Sequence, residues 1–408
     1  MASTPLQFIA QDGELFLSSS NDLARLRVIA AAETLIREFE NPGEQMAHIG
    51  WGEPSRTAAL RTAFELGLME KLGRKPMGSF ELSEGTKADP DVVDESAEAL
   101  CRNIETNPAA RIMKHLVANG IVKEVGKDAY VGTPFSMATN NPTIGTGLIY
   151  SFEGMIPAFM GLPEFLTQPD YQTASNPAAG PVQYGLKTDR SFFEILQSNQ
   201  RLGSAFNNFM TGYATARPRW IDFYPVKERL GGCTSHDVLL VDIGGGLGHE
   251  TSALHKAHPE LPGKLIVQDL EFVVSEARAS KTLPDIVALQ THDFFTPQPV
   301  VGAKAYFMRL ILHDWPHDKC ETILKHLRKA MRKGCSRILI NEAGLQDVGA
   351  PWQQTSLDWT MMAMLVSRER TESQWASLLS QAGLKITGIW SKEPESVIEA
   401  ALADDEET

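Results

Sequence analysis

From residue 237 onward, short continuous apolar runs alternate with segments in which apolar residues recur at helical spacing. The clearest helical segment is 317–331, and the apolar runs are VLLVDI (238–243), KLIVQD (264–269), IVALQTHD (286–293), AYFMRLIL (305–312) and SRILINE (336–342). Strands that alternate with helices form βαβ units with right-handed crossovers. The pattern therefore predicts a parallel sheet in a doubly wound, Rossmann-like α/β domain over residues 231–408.

The end of this region carries one more helix and two strand-like stretches. The helix is predicted to begin after Thr371, where Gln374 completes a capping box, and to end at Gly383. The strand-like stretches are 385–391 and 396–402.

The first part of the chain shows helical periodicity instead. Residues 22–40 and 55–73 carry apolar positions at helical spacing, and we expect Ser55 to cap the second helix and Gly73 to end it. A third helix stops at Gly120 and leads into a short strand, and residues 129–131 supply a return strand. A helix followed by a two-stranded wing predicts a helical, winged-helix-like domain over 1–145.

A helical, aromatic-rich segment follows over 146–230, and we interpret it as a substrate-binding connector. Within it, residues 168–188 are rich in Pro, Gly, Ser and Asn and are predicted to form a loop between helices. A chain of 408 residues is long enough for these parts.

Charge argues against nucleic acid as a partner. The formal net charge is −13, and Arg111, Lys114 and His115 are too few for a phosphate-tracking face on the winged-helix-like domain. A role in homodimer formation is the better interpretation, because the two amphipathic helices before the wing need a surface against which to bury their apolar faces. A winged-helix binding protein remains the alternative.

Nothing in the composition favours secretion or a membrane. We expect no signal peptide, because the first residues lack a basic region followed by an apolar one. We expect no membrane span, because no apolar run reaches the ~20 residues that a bilayer requires. The four cysteines have no CxxC spacing, which favours reduced thiols over disulfides or a zinc site; they are Cys101, Cys233, Cys320 and Cys335. A soluble, cytoplasmic protein without a metal is the expectation.

A glycine-rich turn follows the first apolar run directly. In the stretch DIGGGLG, the glycines Gly244, Gly245 and Gly246 let the backbone turn tightly and approach a ligand that a Cβ atom would exclude. In open α/β sheets, ligands bind outside the carboxyl ends of the strands. A Gly-rich turn alone is weak evidence, since it could simply pack a strand against a helix.

Three further strand ends carry matching chemistry. Asp269 ends the second run and could accept hydrogen bonds from a ribose, while Asp293 and Phe294 end the third run and could hold an adenine. Arg309, in the fourth run, could reach a carboxylate of the cofactor. NAD would suit the glycine turn and Asp269 as well, but no basic group stands where a pyrophosphate needs neutralising. The pattern therefore favours an adenosine cofactor without phosphates.

A candidate base stands at the end of the fourth run. His313 lies at the carboxyl end of a strand beside the predicted cofactor crevice, which places it well for proton transfer. Glu342, at the end of the fifth run, and Glu369, in the segment RERT, are candidates to orient the imidazole. A surface salt bridge is the alternative role for Glu369.

The segments VDIGGGLG, VQDL, HDFF, ILHDWPHDKC, LRKAM, INEAGL and RERT resemble the fungal and plant class I O-methyltransferases of secondary metabolism, the caffeic-acid and sterigmatocystin type. The resemblance covers most of the chain and implies S-adenosyl-L-methionine as cofactor, a small-molecule acceptor and a homodimer. It implies cofactor contacts at Gly244, Gly245, Gly246, Asp269, Leu270, Asp293, Phe294 and Arg309. It implies His313 as base with Glu342 and Glu369 as partners, and a substrate clamp near Phe206, Met210 and Met361.

One alternative shares the same fold and cofactor. Some fungal proteins that resemble this family bind S-adenosylmethionine but catalyse pericyclic or dehydration steps, in which no methyl group moves. In at least some of them the histidine of the HDW segment is replaced. This chain retains His313, which favours methyl transfer.

Overall fold

The computed structural model describes residues 4–84, 108–168, 179–215, 217–232, 234 and 237–403. Cys101, Cys233 and residues 169–178 of the predicted loop lie outside the described residues. The chain divides into two compact units, 1–141 and 142–408, so that the predicted connector belongs to the same unit as the sheet. Within the described residues, no helix is both long enough and apolar enough to cross a bilayer.

The first unit is mainly helical. Its elements are α1 (Pro5–Ser19), α2 (Asp22–Phe39), α3 (Pro42–Ala47), a π-helical segment (His48–Gly52), α4 (Glu53–Leu66), α5 (Leu68–Lys71), α6 (Ser79–Ser83), α7 (Pro108–Ala118), β1 (Val122–Gly126), β2 (Ala129–Gly132) and α8 (Pro134–Ala138). The strands β1 and β2 pair antiparallel after α7, as the hydrophobic pattern predicts. The assignment of this unit as a winged helix stays a prediction.

Two predictions about the helix near residue 55 are wrong. Ser55 lies inside α4 rather than at its cap, because the chain enters α4 from the π-helical segment without a break. The helix ends at Gly67, whose φ of 83° is a left-handed conformation that glycine adopts without a Cβ clash, and not at Gly73. The capped helix α1, where Thr4 forms a capping box with Gln7, has no counterpart among the sequence predictions.

The second unit begins with helices and continues into the sheet. Its helices are α9 (Pro142–Tyr150), a π-helical segment (Ser151–Met155), α10 (Ile156–Leu166), α11 (Pro181–Leu186), α12 (Phe192–Ser198), α13 (Gln200–Thr215), a 3₁₀ turn (Trp220–Asp222), α14 (Val226–Leu230), α15 (His249–Ala257), α16 (Glu271–Ser280), a 3₁₀ turn (Leu312–Asp314), α17 (His317–Ala330), α18 (Trp352–Leu365) and α19 (Glu372–Gln381). The capping box between Thr371 and Gln374 is confirmed.

The sheet confirms the Rossmann-like fold. Its strands are β3 (Val238–Ile243), β4 (Lys264–Asp269), β5 (Val287–Thr291), β6 (Ala305–Arg309), β7 (Arg337–Ala343), β8 (Leu384–Lys392) and β9 (Glu395–Leu402). They are ordered β5-β4-β3-β6-β7-β9-β8, and among these described strands β9 runs in the direction opposite to the other six. The direction of winding reverses between β4 and β6 on either side of β3, which opens a crevice at the carboxyl end of β3.

Both faces of the sheet are buried, which explains why its central strands read as continuous apolar runs. Successive side chains of a strand point to opposite faces. Accordingly, Ile338 and Ile340 of β7 pack into the core beside α17 and α19, whereas Leu339 packs into the core beside Trp220 and α15. Because both faces of the sheet are occupied by the core, the polar residues at the strand ends are the candidates for a ligand-binding site.

Candidate active site

The glycine turn lies between β3 and α15 and is closed by β4. The amides of Gly244 and Gly245 donate to the carbonyl of Gln268 at 2.8 and 3.1 Å. Gly244 has a φ of 65°, and a Cβ atom there would lie 2.6 Å from Cδ1 of Ile311. The turn therefore requires glycine at position 244 on both conformational and steric grounds.

Asp269 contacts the same turn through its carboxylate. Its Oδ2 accepts a hydrogen bond from the amide of Gly246 at 2.9 Å, and its Oδ1 accepts one from the amide of Leu270 at 2.8 Å. Asp269 is half-buried and Leu270 is exposed. The carboxylate is thus held in one orientation beside the glycines, with its remaining lone pairs free for another donor.

The predicted adenine contacts lie just beyond β5. This strand ends at Thr291, so Asp293 stands in the following loop, where its Oδ1 accepts from the amide of Phe295 at 2.9 Å. The ring of Phe294 is half-buried and lies 6.0 Å from the ring of Trp315. Its Cε1 is 3.8 Å from the position that a Cβ of Gly244 would take. Phe294 therefore borders the glycine turn.

Arg309 ends β6 and is already paired within the protein. Its Nη1 donates to Oε1 of Glu250 at 2.8 Å, and its Nη2 lies 3.8 Å from Oε1 of Glu395. Glu250 stands in the first turn of α15, directly after the glycine turn. The guanidinium of Arg309 therefore lies beside the glycine turn. Its pairing with Glu250 was not predicted from the sequence.

His313 lies in a short turn rather than at the end of a strand. The strand β6 ends at Arg309, Leu310 takes a φ of 52°, and His313 is the middle residue of the 3₁₀ turn Leu312–Asp314. Its side chain is buried, with 7% of the residue exposed. Its Nδ1 is 2.7 Å from Oε1 of Glu369, a residue also buried. Since a carboxylate only accepts, this contact leaves Nε2 as the basic nitrogen of the neutral ring.

Glu342 holds the backbone of the same turn. Its Oε1 accepts hydrogen bonds from the amides of Ile311 and Leu312 at 3.1 and 2.9 Å. Its Oε2 is 3.6 Å from Nδ1 of His313. Of the two glutamates, Glu369 therefore contacts the imidazole directly, and Glu342 shapes the loop that presents it.

The surrounding carboxylates decide the charge of His313. Burial alone lowers the pKa of the imidazole, but Glu342, Asp314 and Glu369 outweigh it and raise the pKa to about 10. Burial also raises the pKa of Glu342, to about 7, and the neighbouring histidine opposes this shift. The neighbouring carboxylates therefore favour the protonated form of the His313 ring.

Asp314 is a member of the site that the sequence analysis missed. Its Oδ1 lies 3.4 Å from Nε2 of His313, and burial raises the pKa of its carboxyl to about 6. Its position next to His313 in the chain was the available signal. Asp314 therefore lies near Nε2, whereas Glu369 contacts the other ring nitrogen, Nδ1.

The spacing of these ligands could also suit a metal ion. One ligand atom each from His313, Glu342 and Glu369 lie within 4.8 Å of one another. The 2.7 Å contact to Glu369 is a hydrogen-bond distance, which suits a shared proton. That the site works without a metal stays a prediction.

The residues of the predicted substrate clamp lie on α13 and α18. Phe206 and Met361 belong to one apolar cluster, in which the ring of Phe206 lies 5.2 Å from that of Tyr150. Met210 is half-buried one turn further along α13. The helix α18, which carries Met361, contacts the turn of His313. An aromatic and thioether surface therefore adjoins the candidate base.

Comparisons with known proteins show which family the chain resembles. The family model of the O-methyltransferase domain matches residues 234–385. The O-methyltransferase mfmE of Annulohypoxylon moriforme is 32% identical over 391 residues, which cover 94% of this chain and 92% of the relative. The demethylsterigmatocystin 6-O-methyltransferase of Aspergillus parasiticus is 33% identical over 86% of this chain and 85% of the relative. A solved structure described as a pericyclic reaction enzyme is 28% identical, with a TM-score of 0.81 over 96% of this chain and 97% of that one.

Proposed function

We propose a reaction for this chain, which belongs to the S-adenosylmethionine-dependent O-methyltransferases of fungal secondary metabolism. In this proposal, the chain methylates a hydroxyl group of a small aromatic or polyketide-type metabolite, and His313 is the general base. The observation that carries the proposal is the 2.7 Å contact between Nδ1 of His313 and the buried Glu369.

The glycine turn fits the cofactor of this family. Gly244 and Gly245 are so closely packed that a Cβ on either would lie 2.6 Å from a side chain of the protein, whereas nothing lies within 4 Å of the position that a Cβ of Gly246 would take. An adenosine would therefore approach the turn at Gly246, with Gly244 and Gly245 shaping the backbone beneath it. The carboxylate of Asp269 is oriented for the ribose, with Leu270 beside it. S-adenosylmethionine supplies a methyl group on a sulfonium, which carries its own leaving group.

Three more residues of the crevice would complete the cofactor contacts. Asp293 and Phe294 would hold the adenine, since the Phe294 ring borders the glycine turn. Arg309 would reach the cofactor carboxylate, and its Nε is a buried donor without a hydrogen-bond partner among the described residues. An unpaired buried donor of this kind costs free energy that an anionic group would offset.

The acceptor needs a base because a phenol has a pKa of about 10 and is a weak nucleophile until it loses its proton. In the neutral ring, Nε2 of His313 takes that proton, and Glu369 then stabilises the imidazolium. Glu342 keeps the turn in place. His313 would hold its proton less tightly beside a cationic sulfonium, which would lower the pKa of the ring from its value near 10.

Phe206, Met210 and Met361 would hold the acceptor in line with the methyl group. Their surface is apolar and adjoins the turn of His313 through α18. Fixing the oxygen and the methyl carbon in a reactive alignment contributes much of the rate enhancement in such a transfer. An aromatic acceptor matches the rings of Phe206 and Tyr150, which lie 5.2 Å apart.

Substitution of His313 by alanine tests the proposal. We expect turnover to fall by ~10²–10⁴-fold while S-adenosylmethionine affinity changes little, because the ring contacts the acceptor rather than the adenosine. Wild-type turnover should rise with pH as the imidazolium loses its proton. The deficit of His313→Ala should shrink at high pH, where a phenolic acceptor ionises without help. Undiminished turnover of the variant at neutral pH would exclude His313 as the base.

A cofactor-assisted pericyclic reaction is the second candidate, favoured by the likeness to the pericyclic reaction enzyme. It predicts that substrate is consumed while S-adenosylmethionine is recovered unchanged. Methyl transfer predicts one S-adenosylhomocysteine for each product molecule. The retention of His313 with both glutamates favours methyl transfer, because a reaction without proton removal has no need of that base.

We further propose that the chain forms a homodimer through residues 1–145. The helices α1 and α2 expose large apolar side chains in the single chain. The exposed fractions are 84% for Leu17, 67% for Leu23, 55% for Ile36 and 79% for Phe39. Contiguous exposed apolar side chains are typical of an interface. A second copy of the same surface would cover it in a closed, two-fold arrangement.

A further inference from the structure

The turn that carries His313 is held by ionic groups on both of its sides. On the amide side, the carboxylate of Glu342 accepts hydrogen bonds from Ile311 and Leu312. On the carbonyl side, Nη1 of Arg370 donates to the carbonyl of Leu312 at 2.9 Å, and Nη2 donates to the carbonyl of Trp315 at 3.3 Å. The charges match the direction of the peptide dipoles, as at the two ends of a helix.

Arg370 is one of the largest fully buried side chains, with 2% of the residue exposed. Besides the two carbonyls, its Nη2 contacts Sγ of Cys320 at 3.2 Å, and its guanidinium lies 5.2 Å from the ring of Trp375. Cys320 itself donates to the carbonyl of Leu312 at 3.1 Å. A buried guanidinium is costly, and here its hydrogen bonds converge on one short segment of backbone.

We propose that Arg370 is a positioning residue that fixes the turn Leu312–Asp314 and thereby aims Nε2 of His313 at the acceptor. Two adjacent residues divide the task, since Glu369 holds the imidazole and Arg370 holds the backbone from which the imidazole extends. Adjacent residues thus hold both the ring and the turn that carries it. The inference rests on the proposed role of His313 as base.

The planar fork of Arg370 is what lets it reach two carbonyls at once, and a lysine ammonium could not span them in the same way. We therefore expect Arg370→Lys to lose turnover, and Arg370→Met to lose more, by ~10²-fold, as an ångström-scale misplacement of a catalytic group does. The KM for S-adenosylmethionine should stay near its wild-type value. Arg229→Met is the matched control, because Arg229 pairs with Glu399 and not with the catalytic turn. It should lower the melting temperature without lowering kcat.

A double-variant cycle separates positioning from general stability. If Arg370 acts through His313, Arg370→Met should cost ~10²-fold in the wild-type background and almost nothing further in the His313→Ala background. Measurements are made well below the melting temperature of each variant, and Arg370→Lys serves in the same cycle if the methionine variant does not fold. Equal losses in both backgrounds would overturn the inference.

The outcome also separates this inference from the proposed function. If His313→Ala alone keeps wild-type turnover, the role of His313 as base fails. If His313→Ala is slow while both Arg370 variants turn over at the wild-type rate, only the positioning role fails.

Discussion

Replacement of Asp269 by alanine is a direct test of the cofactor site. Asp269 accepts two backbone hydrogen bonds, from Gly246 at 2.9 Å and from Leu270 at 2.8 Å. Both contacts orient the carboxylate beside the glycine turn. The proposed role is to accept hydrogen bonds from the ribose hydroxyls with the lone pairs that remain.

The expected effect is a weaker affinity for S-adenosylmethionine by ~1.5–3 kcal/mol, the range for a hydrogen bond to a charged group. At ~1.4 kcal/mol per factor of ten, this corresponds to a ~10- to 150-fold higher Kd. The two amides that lose their acceptor can turn to water, because Leu270 is exposed and Asp269 is only half-buried. Their loss should therefore add little to the effect.

Calorimetry with S-adenosylmethionine and S-adenosylhomocysteine measures the change, and both ligands should lose affinity alike because they share the ribose. Asp269→Asn should fall between the wild type and the alanine variant, since it keeps one acceptor oxygen but no charge. Asp285→Ala is the charge-matched control; Asp285 is exposed before β5, at the end of the sheet opposite the crevice. Unchanged affinity of the Asp269→Ala variant would refute the reasoning.

Two further predictions concern the base and the assembly. Glu369→Gln should lower kcat at neutral pH more than Glu342→Gln, because only Glu369 contacts Nδ1 at 2.7 Å and an amide there can donate and select the wrong tautomer. Equal kcat values for the two variants would contradict the division of roles. In light scattering at micromolar concentration, the protein should have about twice the chain mass of 44.9 kDa. The double variant Leu17→Ser, Phe39→Ser should shift the measured mass toward that of the monomer. A monomeric wild-type protein would contradict the proposed dimer.

The sequence alone determined most of the sheet and its helices. The predicted runs 238–243 and 264–269 coincide with β3 and β4, and the capping box at Thr371 begins α19 as expected. These features are local: the spacing of apolar side chains and the chemistry of a helix end act over a few residues. The residues that line the crevice could be chosen for the same reason, because ligands gather at the carboxyl ends of parallel strands.

The tertiary structure decided what those residues contact. Only long-range pairing places β9 antiparallel between β7 and β8, and only the folded chain pairs Arg309 with Glu250, a residue 59 positions away. The sequence analysis gave Glu342 more weight as the partner of His313, yet Glu369 contacts the ring. Hydrophobic periodicity carries no information on which of two distant carboxylates contacts an imidazole. That contact depends on how segments far apart in the sequence pack against each other in the folded chain.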